Sequence, residues 1–124
     1  MSDLASMFLQ RLRADLALLV DSACPMSQRL VEWGDRLDFR DHSESSVLVW
    51  DAQQGRVAIS PSHPVVAKLL NSPTRRRSDV VFFISTLASL LNREVAEITD
   101  EDERNFHARL LNFALENAQG SWSA

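Results

Sequence analysis

Residues 46–60, SVLVWDAQQGRVAIS, decide the fold class of this chain. Two β-branched runs, Ser46–Trp50 and Arg56–Ser60, flank the polar segment Asp51–Gly55. Val47, Val49, Val57 and Ile59 favour extended backbone, and Gly55 suits a turn position with positive φ. The pattern predicts an antiparallel hairpin over 46–50 and 56–60. A lone hairpin is marginal in water, so it must pack on helices or pair with another edge. Leu37–Arg40, just upstream, can supply a third strand.

Everything around the hairpin carries helical period. Over residues 3–22, Leu4, Met7, Phe8, Leu12, Leu16, Leu19 and Val20 recur three and four apart. Ser2 or Asp3 can cap this helix, Arg11 and Asp15 are spaced for a weak surface pair, and the run Leu16–Val20 predicts burial on more than one side. Pro25 ends the pattern and suits the first turn of a second helix, whose stripe is Met26, Leu30, Trp33 and Leu37. After the hairpin, Ser62 as N-cap and Pro64 in the first turn predict a short helix through Val65, Val66, Leu69 and Leu70. Ser78 or Asp79 then caps a helix over 78–94. Its residues Val80–Ile84, Leu87, Ala88, Leu90 and Leu91 are apolar nearly all round, which predicts the buried centre of the domain; residues 95–98 can extend it. Thr99, followed by Asp100–Glu103, opens a last helix with an acidic first turn. Its apolar face is Phe106, Leu110, Phe113 and Ala114, Gln119-Gly120 ends it, and 121–124 form a tail. The expected fold is α+β: one mostly helical domain over 1–124, with about five helices around 78–94 and the small hairpin on one side.

At 124 residues the chain can bury a core without a structural metal or disulfides. Its single cysteine, Cys24, forbids an intramolecular disulfide and fits a reducing compartment. The N-terminal segment has no early cationic run and its apolar residues are interrupted, and Val80–Ile84 is too short to span a bilayer. The expected location is the cytoplasm. A net charge of −4 argues against bulk attraction to nucleic acid or to an anionic membrane.

Catalytic and cofactor signatures are not found. Gly34, Gly55 and Gly120 lie too far apart for a phosphate-binding loop or a dinucleotide fingerprint. His42, His63 and His107 show no helical metal-ligand spacing. They read as a polar-loop residue, a turn or capping residue, and a solvated helix face. Cys24 precedes Pro25 near a helix N-terminus, yet no histidine is paired with it by sequence, so a structural role is expected. No serine stands in a nucleophile elbow. No cofactor and no metal site is predicted.

What remains points to partners. Arg75-Arg76-Arg77, among twelve arginines and one lysine, forms a basic loop before the central helix, able to grip phosphates or carboxylates. Trp50 closes a strand beside a turn, and Trp122 sits in a tail that would otherwise fray. The expected function is a non-catalytic protein-interaction module, an adaptor, regulatory or chaperone-like subunit. Its partner-binding residues are Arg75, Arg76, Arg77, Trp50 and Trp122, and its partner is an acidic or phosphorylated protein or a second copy of the chain. An open hairpin edge is one place for such a partner. Two alternatives stand beside it. One is a small metal-dependent or hydrolytic enzyme that gathers the dispersed histidines. The other is a nucleic-acid-associated regulator using Arg75–Arg77 together with Arg56 or Arg104.

Overall fold

A computed structural model describes residues 3–41, 46–71 and 77–116. Along the chain run α1 (Asp3–Leu18), α2 (Pro25–Gly34), β1 (Leu37–Phe39), β2 (Leu48–Asp51), β3 (Arg56–Ile59), α3 (Pro64–Leu70), α4 (Arg77–Glu94) and α5 (Asp100–Glu116). The architecture is α+β and mostly helical, as the periodicity predicts.

The strand region is a three-stranded sheet rather than a hairpin alone. β2 and β3 are antiparallel, with Gly55 at φ 62° in the turn, and β1 pairs parallel to β3. The order β1-β3-β2 places β3 in the centre, so the β3 edge of the hairpin is not open to a partner. Register sorts the side chains. Leu37, Val57 and Trp50 form one row and Phe39, Ile59 and Leu48 another, both on the face that meets the helices. The row between them, Asp38, Ala58 and Val49, faces away. There Arg40 reaches Asp38 on β1, Asp51 at the end of β2 and Gln54 in the turn. Its stem thereby spans the sheet, and Ala58 on the outward row is still buried.

The helices pack against the inner face of the sheet. Trp33 of α2 stacks on Trp50 with centroids 4.7 Å apart and rings 6° from parallel. Phe8 of α1 lies edge-on to Phe83 of α4 at 5.3 Å and also approaches Phe39 of β1. Gly34 lets α1 and α2 close in, since a Cβ there would sit 3.0 Å from Leu16 Cδ1, and its carbonyl accepts from Arg13 Nε at 2.7 Å.

Several local expectations are corrected. α1 ends at Leu18 instead of residue 22. The chain turns there, so Leu16 and Leu19 are buried while Leu18 and Val20 are exposed. Asp15 is buried rather than on the surface. α4 begins at Arg77, which makes that residue helical rather than part of a loop, and Asp79 lies in the first turn instead of capping it. α4 also stops at Glu94 without extending through 98. α3 is capped by His63, not Ser62: His63 Nδ1 accepts from Val65 N at 3.1 Å. The predicted cap of α5 is a reciprocal box, with Thr99 Oγ1 accepting from Asp102 N and Asp102 Oδ2 from Thr99 N. Among the described residues no helix is long and apolar enough to cross a membrane.

Candidate functional site

α4 has two flanks of opposite character; of the candidate residues that the sequence singled out, only His107 falls on one of them. The first is its contact with α5. Ser85, Ser89 and Asn92 interrupt an otherwise apolar helix at spacings of four and three, which places them on one edge. His107, Glu103 and Asp100 repeat those spacings in reverse on α5. Ser85 Oγ and His107 Nε2 are 2.9 Å apart. Ser89 Oγ donates to Glu103 Oε2 at 3.1 Å, and Asn92 Nδ2 donates to Glu103 Oε1 and to Asp100 Oδ1, each at 2.8 Å. Every step along α4 is matched by an equal step back along α5, so the helices run antiparallel in a fixed register. His107 is therefore a member of a polar seam, not a freely solvated side chain.

Ser85, His107 and Glu103 stand in the order of a nucleophile, base and orienting acid. Among the described residues the contacts fall short of that arrangement in two places. His107 Nδ1 is 3.6 Å from Glu103 Oε2, too long for a hydrogen bond. Ser85 sits in mid-helix, where backbone N–H groups are committed to the helix and cannot serve a developing oxyanion. The groove described below opens on the other flank of α4. What the arrangement does is pair polar side chains between two helices. Among the described residues no three His, Cys, Asp or Glu side chains gather as a metal site. Cys24 is buried at the N-cap of α2, where Ser27 Oγ donates to its carbonyl at 2.7 Å.

The second flank is a groove between α4 and α3. Its walls are Val65, Lys68 and Leu69 from α3, Asp79, Phe82, Phe83 and Thr86 from α4, and Val47 ahead of β2. Positions three and four apart on each helix face each other across a cavity of about 360 Å³. α3 is held in place from its entrance. Asp41, just beyond β1, accepts from Ser60 Oγ, Ser62 N and Ser62 Oγ at 2.7–3.1 Å. Thr86 Oγ1 donates back to the Phe82 carbonyl at 3.0 Å, so its hydroxyl is already engaged within α4. The lining is mainly apolar, with one cation and one carboxylate.

Phe82 both walls this groove and stands out from it, 74% exposed. Across the groove Val65 is 61% exposed. The seam register puts residue 82 of α4 level with residue 110 of α5. On α5, Leu111, one turn beyond His107, is 61% exposed and Leu115 69%. Uncovered apolar side chains thus stand on α3, α4 and α5. An all-round apolar helix conceals this in the sequence, because periodicity cannot show which side stays bare.

The residues picked from the sequence fall as follows. Trp50 is half-buried in β2 against Trp33 and belongs to the sheet–helix contact. Arg77 opens α4, level with residue 115. Arg56 begins β3 and Arg104 lies on α5, both exposed. Arg75, Arg76, Trp122 and His42 lie outside the described residues, as do Gln119 and Gly120. Arg109, which the sequence reading did not single out, donates from Nε to the Leu19 carbonyl at 2.6 Å and meets Asp21 at 3.2 Å, tying α5 to the α1–α2 connection.

No protein-family model, no curated protein and no solved structure matches the chain.

Proposed function

We propose that the chain is a protein-interaction module that docks another polypeptide on the α3–α4 groove. The exposed Phe82 at the lip of a 360 Å³ apolar groove carries this reading. Large aromatic side chains are costly to leave in water, and contiguous exposed apolar patches mark interaction surfaces. An adaptor, regulatory or chaperone-like role follows from such a face. The connection bearing Arg75 and Arg76 joins the two helices that wall the groove, so these arginines and Arg77 would set polarity against an acidic partner. The polar seam is consistent with the reading from the other side: Ser85, His107 and Glu103 pair α4 with α5.

The test compares tagged wild-type protein with Phe82→Glu in the native host after nuclease treatment. A stoichiometric protein should be retained by the wild type and lost by the variant. Residues 65–69 and 79–86 should gain protection from hydrogen exchange when that protein is bound. Equal retention by the variant, or protection elsewhere only, would remove the groove from the account.

A further inference from the structure

We draw no further inference here: the strongest candidate, the apolar groove between α3 and α4 with the exposed Phe82 at its lip, carries nothing beyond the docking reading, because nothing in the structure shows what covers it.

Discussion

The two flanks of α4 solve opposite problems. On the α5 side, Ser85, Ser89 and Asn92 would be costly if buried alone, and each finds a partner on the facing helix. On the α3 side, Phe82 and Val65 are left in water. Partly exposed polar groups are paired within the chain on one flank, while large apolar groups stay in water on the other. Folding the lone chain gains little from the second arrangement, so its use is sought in what the chain meets.

The sharpest way to break this contrast uses two adjacent residues. Phe83 is buried and edge-on to Phe8, whereas Phe82 points to solvent. Phe83→Ala should cost about 3–5 kcal/mol in chemical denaturation. Phe82→Ala, measured at low concentration, should stay within about 0.5 kcal/mol of wild type. Similar losses at both sites would mean that Phe82 belongs to the core.

Arg109 comes next. It closes the α5 side by gripping the carbonyls of Leu19 and Val20 and the Asp21 carboxylate. Arg109→Ala should lower stability by about 2 kcal/mol, because charge-assisted bonds are lost and carbonyls are left short of donors. A denaturation midpoint unchanged by the substitution would separate the α1–α2 connection from α5.

The seam itself predicts coupling. Glu103→Ala and Asn92→Ala should each destabilise by about 1 kcal/mol, and the double variant by less than their sum. Strict additivity would show that the Asn92–Glu103 bond at 2.8 Å contributes nothing of its own. The smallest expected effect is at the start of the same helix, where Thr99→Ala removes half of the capping box. It should cost about 0.5–1 kcal/mol in chemical denaturation.

Much of the fold can be read without coordinates, because it is written in short-range chemistry. Proline starts α2 and α3, β-branched residues and Gly55 make the β2–β3 hairpin, and Thr99 with its acidic followers starts α5. Each of these acts over a few residues, and the structure keeps them all with shifts of at most two positions. The stripe Phe106, Leu110 and Phe113 likewise predicts the buried face of α5. Even the seam left a trace, in the matched spacing of Ser85, Ser89 and Asn92 against His107, Glu103 and Asp100.

What no local pattern carries is the choice of neighbour. Leu37–Phe39 reads as a strand, but its parallel pairing with β3 depends on α2 delivering it beside Val57, Ala58 and Ile59. The apolar circumference of α4 predicts a buried helix, yet the other described helices and strands cover only part of it and leave Phe82 bare. His107 on α5 alone looks solvated and becomes a seam residue only when Ser85 arrives opposite. Propensity, capping and turn chemistry act between residues near in sequence; burial, exposure and pairing are settled by which surfaces meet, and those surfaces come from segments far apart along the chain.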